Sequence, residues 1–155
     1  MNLLWRFLPI FVLTLGACAE FPEGQEGDKG KEAELRKFVL VPGKSSLYLC
    51  RPAILLDSDM KSVVRVDNQP LGTLKRNTFV HAVLRPGTHD VVLKNGGPSG
   101  YTHAMTIDAR PDEVRILWVG VTAKGFGVLT VDHFESEAEA RACVSRAAYM
   151  VPSRQ

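Results

Sequence analysis

The chain lacks a strong excess of charge of either sign, and it lacks the short motifs of common enzyme and metal sites. Nineteen lysines and arginines against 17 aspartates and glutamates leave a formal charge of +2, too little for a dedicated nucleic-acid binder. No Cys-x-x-Cys, His-x-x-x-His or Gly-x-Ser-x-Gly motif occurs, and no complete phosphate loop. There is no internal repeat. With 155 residues, of which 45% are hydrophobic, we expect one globular domain.

The first 17 residues have the organisation of a secretory signal. The basic residue Arg6 precedes a short apolar segment, which falls below the roughly 20 residues needed to span a bilayer. Leu15-Gly16-Ala17-Cys18 resembles the bacterial lipobox, in which the signal is cut before a cysteine that carries a diacylglyceryl group. We therefore predict a lipoprotein signal peptide over 1–17 and lipidation at Cys18. A plain secretory signal followed by an incidental cysteine remains the alternative.

The residue that follows Cys18 bears on the membrane to which the lipid is attached. By resemblance to bacterial lipoproteins, aspartate at this position retains the protein in the inner membrane. Here it is Ala19, which implies the periplasmic face of the outer membrane. Residues 18–37 are rich in Gly, Glu and Lys and poor in β-branched side chains, so we predict a lipidated cysteine followed by a flexible tether. Within it, residues 33–37 either form a helical turn or stay solvated.

Residues 38–152 are predicted to form a β-sandwich domain with one C-terminal helix. Short apolar runs with alternating patterns are separated by turn signals at nearly regular spacing, which is typical of an all-β fold with seven or eight antiparallel strands. The expected strands are 45–51, 62–66, 71–74, 78–84, 88–94, 101–108, 114–122 and 128–134.

The end of the chain changes from the period of a strand to that of a helix. Ser136 and Glu139 have the spacing of a capping box at the start of a helix. Pro152 lies just past its expected end. One apolar stripe follows the cap, formed by Ala140, Cys143, Val144 and Ala147. We expect this helix to pack on the sheet.

Three motifs, one at the end of a strand and two at turns, resemble those of a family of bacterial envelope lipoproteins that is defined only as a domain of unknown function. They are Leu49-Cys50-Arg51-Pro52, Val66-Asp67-Asn68-Gln69-Pro70-Leu71-Gly72 and Pro86-Gly87-Thr88-His89. The resemblance implies a β-sandwich in the cell envelope and assigns no catalytic residue. Similar turns occur in carbohydrate-surface modules of the PEGA type.

Two cysteines remain once Cys18 is set aside. An exported protein meets an oxidising compartment, where a leftover pair favours a disulfide. Cys50 lies on the strand face opposite Leu47 and Leu49, and Cys143 lies on the apolar stripe of the helix. If the helix covers that face, the two cysteines meet. The alternative is a pair of buried free thiols.

The remaining polar residues give no spacing typical of a catalytic or metal site, and we predict no cofactor. The histidines are separated along the chain, and a metal site would have to be assembled from different strands; they are His81, His89, His103 and His133. Exposed aromatic residues could bind glycans or peptides, and the candidates are Tyr48, Tyr101, Trp118 and Phe126. Of these, Trp118 is expected in the core, whereas Phe126, between two glycines, is the better candidate for contact with a partner.

Two functions from different classes follow. The first is a non-enzymatic binding or structural module, attached to the membrane by lipid, whose partner is an envelope protein or the wall glycan. The second is a periplasmic hydrolase with a site assembled from separate strands. A pocket that unites His81, His103 or His133 with a carboxylate would favour it, and scattered histidines would count against it. The sequence does not give an oligomeric state.

Overall fold

A computed structural model describes residues 24–53, 60–96, 100–122 and 128–153. In these described segments, ten strands form two sheets, and two helices accompany them. The strands are β1 (Gln25–Glu26), β2 (Ser45–Arg51), β3 (Ser62–Val66), β4 (Gln69–Leu74), β5 (Thr78–Leu84), β6 (Gly87–Asn95), β7 (Thr102–Ala109), β8 (Val114–Thr122), β9 (Val128–His133) and β10 (Ala148–Val151). The helices are α1 (Lys29–Leu35) and α2 (Glu137–Arg146). Neither helix of the described residues is long and apolar enough to cross a membrane.

The larger sheet has the order β1-β10-β5-β2-β8-β9, and the smaller one has the order β4-β3-β6-β7. The smaller sheet is antiparallel throughout. The larger sheet is mixed, because β2 pairs with β8, and β10 with β5, in parallel. The prediction of a mainly β domain with a C-terminal helix is confirmed, but that of an antiparallel fold is wrong at these two pairs. Alternation within a strand reports which face is buried and carries no information on the direction of the neighbouring strand.

The predicted strand count is also too low. All eight expected strands are present as β2 to β9. The two missed strands are β1, which has only two polar residues, and β10, which follows the helix directly. Helix α2 ends because Ala147 adopts an extended backbone conformation, and the chain then runs alongside β5. Residues 148–151 therefore continue as a strand where the sequence suggested the end of the helix.

One hydrophobic core lies between the two sheets. The larger sheet contributes Leu47, Leu49, Val80, Leu84, Leu117, Val119 and Met150, and the smaller sheet contributes Val64, Val66, Leu74, Val91, Leu93, Ile107 and Ala109. These residues recur at every second position along their strands, so each strand presents one face to this core.

The other face of the larger sheet, which we call the outer face, packs against both helices. This second cluster contains Leu35, Tyr48, Cys50, Phe79, Cys143, Val144 and Ala147. The molecule therefore has a helical layer, a six-stranded layer and a four-stranded layer. The apolar stripe predicted for α2 is confirmed, because all four of its residues are buried.

The prediction of a flexible tether through residue 37 is wrong from Gly24 onward. Asp28 caps helix α1 by accepting a hydrogen bond from the Lys31 N–H at 2.8 Å. The buried carboxylate of Glu32 accepts one from the Tyr149 N–H in β10 at 2.9 Å and pairs with Arg36, also at 2.9 Å. Composition alone marked the segment as unfolded because its contacts are made to a strand more than 100 residues later in the chain.

One glycine lies where the two sheets approach each other. Gly72 in β4 has φ of +155°. A Cβ atom built on it would lie 2.8 Å from a methyl carbon of Val80 and 3.0 Å from the carbonyl oxygen of Met150. Strand β4 can lie this close to β5 and β10 only because position 72 has no side chain.

Candidate functional site

The disulfide predicted between Cys50 and Cys143 is present. Their sulfur atoms lie 2.05 Å apart and their Cα atoms 6.3 Å apart. Cys50 lies on the outer face of β2, as the strand alternation predicted. Cys143 lies on the buried stripe of α2, as the helical periodicity predicted. At the start of α2, the Ser136 hydroxyl accepts a hydrogen bond from the Glu139 N–H at 3.2 Å. The disulfide thus fixes α2 across the middle of the larger sheet.

His81 lies on the same outer face of β5, directly opposite Tyr48. The centroids of the two rings are 4.5 Å apart, and Nε2 of His81 is buried without a hydrogen-bond partner among the described residues. Burial, helped by the positive charge of Lys31, lowers the pKa of His81 to about 4. The ring is therefore neutral at neutral pH, and it lies in an aromatic environment.

His89 and Asp67 form a hydrogen-bonded pair at the turn between β3 and β4. Nδ1 of His89 lies 2.6 Å from a carboxylate oxygen of Asp67, and Nε2 lies 2.8 Å from the carbonyl oxygen of Arg85. The second oxygen of Asp67 accepts from the Asp90 N–H at 3.0 Å. The bond to Asp67, together with that to the Arg85 carbonyl, raises the pKa of His89, although partial burial opposes this.

This pair resembles the oriented base of a catalytic dyad, but its geometry excludes that role. A general base needs one ring nitrogen with a free lone pair directed at the substrate. Both nitrogens of His89 already face an oxygen atom inside the protein. The pair therefore joins the turn at Asp67 and Asn68, which both have positive φ, to the start of β6.

A cleft lies between the first residues of β8, the end of β9 and the start of α2, and we call it the β8–α2 cleft. Its volume is about 480 Å³, and it is lined by Glu113, Val114, Arg115, Ile116, His133, Phe134, Ser136, Glu137 and Ala140. Strand β9 pairs with β8 only from Leu117 onward, so residues 114–116 are paired with β2 on one side only. The cleft is where α2 turns away from this half-paired segment.

Both carboxylates of the cleft are held by arginines. Arg115 donates to Glu113 through two nitrogens, at 2.9 and 3.2 Å, and Arg141 pairs with Glu137 at 2.8 Å. Burial disfavours ionisation of Glu113, but the hydrogen bonds from Arg115 and from the Arg110 N–H outweigh it and lower the pKa of this carboxyl group. The imidazole of His133 is exposed at the rim.

The four histidines remain apart in the structure. His81 lies beneath the helices, His89 at a turn, His103 on β7 of the smaller sheet and His133 at the cleft. Among the described residues, no group of three or more His, Cys, Asp or Glu side chains could hold a metal ion. The β8–α2 cleft unites a histidine with carboxylates, and the strand order that forms it could not be read from the sequence.

The aromatic residues differ from the sequence predictions at two positions. Tyr48, a candidate contact residue, is only 1% exposed. Trp118 is not in the core between the sheets; it lies on the outer face of β8 and is partly exposed. It shares that face with Val114 and Ile116, because Leu117 and Val119 occupy the opposite one. The predicted lipidation site, Cys18, and the predicted contact residue, Phe126, lie outside the described residues.

No known protein-family model matches the chain, and no curated protein sequence is significantly similar to it. The functional conclusions therefore depend on the residues and the geometry described above.

Proposed function

We propose that the chain is an exported envelope lipoprotein, attached by a diacylglyceryl group at Cys18 to the periplasmic face of the outer membrane. In this proposal it belongs to the envelope-lipoprotein family that its turn motifs resemble, and its two facing sheets are the β-sandwich of that family. The domain serves as a non-enzymatic module that binds an envelope protein or the wall glycan.

The observation that supports export best is the disulfide between Cys50 and Cys143. Stable disulfides of this kind form in oxidising compartments such as the periplasm and are rare in the reducing cytosol. The bond joins α2 to the middle of the larger sheet and lies almost fully inside the protein. A cytosolic form would have to fold around two buried thiols in its place.

Binding is favoured over catalysis by the state of the polar groups in the β8–α2 cleft. Glu113 and Glu137 are each engaged by an arginine. The hydroxyl oxygen of Ser136 accepts a hydrogen bond in the helix cap. Among the described residues, no hydrogen bond orients His133 toward Ser136, which a serine nucleophile activated by a histidine would require.

The hydrolase remains the second candidate because the cleft does bring His133 close to two carboxylates. The two functions differ in what a single substitution does. If His133 is a general base, His133→Ala abolishes turnover of every substrate and leaves binding in place. If the domain is a binding module, His133→Ala changes only affinity.

Fractionation of cells that carry the full-length chain tests the proposed location. We expect the protein in the outer-membrane fraction, soluble only in detergent, and we expect Cys18→Ser to remove it from that fraction. Lys94→Ser is the control, because it changes an exposed residue outside the proposed lipobox and leaves the disulfide intact. A full-length protein that is soluble without detergent contradicts the anchor.

A further inference from the structure

The outer face of β8 and β9 carries a group of side chains that do not pack into either hydrophobic cluster. Trp118 and Gly120 lie on β8, and the residues paired with them on β9 are Asp132 and Thr130, respectively. Because Leu117 and Val119 point into the core between the sheets, the residues that alternate with them point to the outer face. Side chains directly opposite each other on one face lie about 5 Å apart at their Cβ atoms. We call these four residues the Trp118 platform.

Gly120 determines how the indole of Trp118 lies. A Cβ atom built on Gly120 would lie 2.1 Å from Cη2 of the indole and 2.2 Å from its Cζ2. The six-membered ring therefore rests directly on the backbone of β8. Any side chain at position 120 would displace it. The ring is thus held in one orientation before any ligand arrives, which reduces the entropy lost on binding.

The indole is only partly covered, and none of the described residues engages its polar group. Within the described part of the chain, Trp118 makes no contact with another aromatic ring, and its Nε1–H makes no hydrogen bond. Trp118 therefore offers a partly exposed apolar ring and one hydrogen-bond donor that the described residues leave available.

The polar neighbours of the indole define the charge of a ligand. Asp132 is exposed, and one of its carboxylate oxygens accepts a hydrogen bond from the His133 N–H at 2.8 Å. Its other oxygen and the Thr130 hydroxyl are not engaged by the described residues. A carboxylate only accepts hydrogen bonds and repels anions, so a complementary ligand is rich in donors and carries no negative charge.

We propose that the Trp118 platform binds one pyranose ring of an uncharged, β-linked N-acetylhexosamine chain. Such a sugar has an apolar face of C–H groups that can lie on the negative face of an indole, and a rim of hydroxyl donors that Asp132 and Thr130 can accept. A quaternary ammonium group is usually held by a cage of several aromatic rings, whereas one flat ring suits one flat sugar. That this N-acetylhexosamine polymer is the wall glycan rests on the proposed function.

Tryptophan fluorescence gives a direct measurement. The chain has two tryptophans, Trp5 in the predicted signal and Trp118, so Trp118→Phe provides the baseline. Titration of the detergent-solubilised protein with the N-acetylglucosamine tetramer should change the Trp118 emission, with a dissociation constant on the order of 1 mM. It should also protect the indole from acrylamide quenching.

Variants separate the platform from the rest of the surface. Trp118→Ala and Gly120→Ala should each weaken binding of the tetramer by at least about tenfold. Because Trp118→Ala removes the fluorophore, its binding is measured by equilibrium dialysis of labelled tetramer. Asp132→Asn should weaken it by about threefold to tenfold. Asp108→Asn is the matched control, because Asp108 is an exposed carboxylate on β7 of the smaller sheet, and it should leave the affinity unchanged.

Three results would overturn the proposal. They are no binding up to about 10 mM tetramer, equal binding by Trp118→Ala, or displacement of the tetramer by choline or lysine. If Gly120→Ala fails to fold, as seen by circular dichroism, the Trp118→Ala and Asp132→Asn results decide. The assay does not need the lipid, so the Cys18→Ser protein must bind the tetramer equally well. A wild-type protein that binds the tetramer but carries no lipid would contradict the proposed function alone.

Discussion

At the scale of single residues, the described histidines differ because their surroundings differ. His81 is half-buried against Tyr48, whereas His89 is bonded to a carboxylate and a carbonyl group. Burial favours the neutral form of the first ring, and the two acceptors favour the charged form of the second. The two residues therefore give opposite dependences of stability on pH.

His81 should make the protein less stable in acid. Its pKa is about 4 when folded and about 6.5 when unfolded, so the unfolded chain binds more protons between these values. The stability that the neutral His81 ring contributes is complete above pH 6.5. It is lost as the pH falls toward 4, which lowers the free energy of unfolding by an amount on the order of 2 kcal/mol. The free energies of unfolding of the wild type and of His81→Phe, measured in urea and plotted against pH, should converge as the pH rises. Parallel curves would contradict the assignment.

His89 should act in the opposite direction. Its folded pKa is raised, so the bond to Asp67 contributes fully below the unfolded value of about 6.5 and is lost as the pH rises through the folded value. We expect His89→Gln to cost about 0.5–1 kcal/mol near pH 5.5, because half of Asp67 is exposed and solvent screens the pair. The difference should shrink as the pH rises through the folded pKa. If the difference grows with pH, the account of this pair is wrong.

At the scale of elements, much of the fold could be predicted from the sequence. Alternation located β2 to β9, and the apolar stripe of α2 located the helix and its disulfide. The missed elements, α1, β1 and β10, are held by contacts distant in sequence, such as that from Tyr149 to Glu32. The position of Trp118 was missed for a related reason, since an apolar run does not reveal which residues face the helices.

The disulfide should account for much of the stability of α2. It closes a sequence separation of 93 residues, for which the chain-entropy model gives about 4–5 kcal/mol. Cys143→Ala should therefore lower the free energy of unfolding by that order and increase amide hydrogen exchange along α2 more than along β6. Chemical reduction of the wild type should reproduce the effect. Equal protection of α2 in both proteins would show that the bond does not hold it.

Helix α1 provides a test of where the folded domain begins. Leu35 is 5% exposed and packs against Tyr48, so Leu35→Ala should cost about 2–4 kcal/mol. A flexible tether would lose nothing. Lys31→Ala is the control on the exposed side of the same helix and should cost less than about 0.5 kcal/mol.

At the scale of the whole molecule, the folded segment leaves little chain between the proposed anchor and the domain. Only residues 19–23 separate Cys18 from Gly24, and five residues span at most about 18 Å. The edge of the larger sheet formed by β1 and β10 should therefore lie near the lipid. A fluorophore at Gln25 should be quenched by headgroup-labelled vesicles, whereas one at Lys94 on β6 should be quenched less. Equal quenching at both positions would contradict a short connection.

Export, lipidation at Cys18 and the bond between Cys50 and Cys143 together define the proposed lipoprotein. The most direct test is the intact mass of the membrane-extracted protein, before and after reduction with alkylation. We expect a chain that begins at Cys18, carries the mass of two or three acyl chains, and gains two alkyl groups only after reduction. A chain that retains residues 1–17, lacks acyl mass and alkylates without reduction would contradict the account.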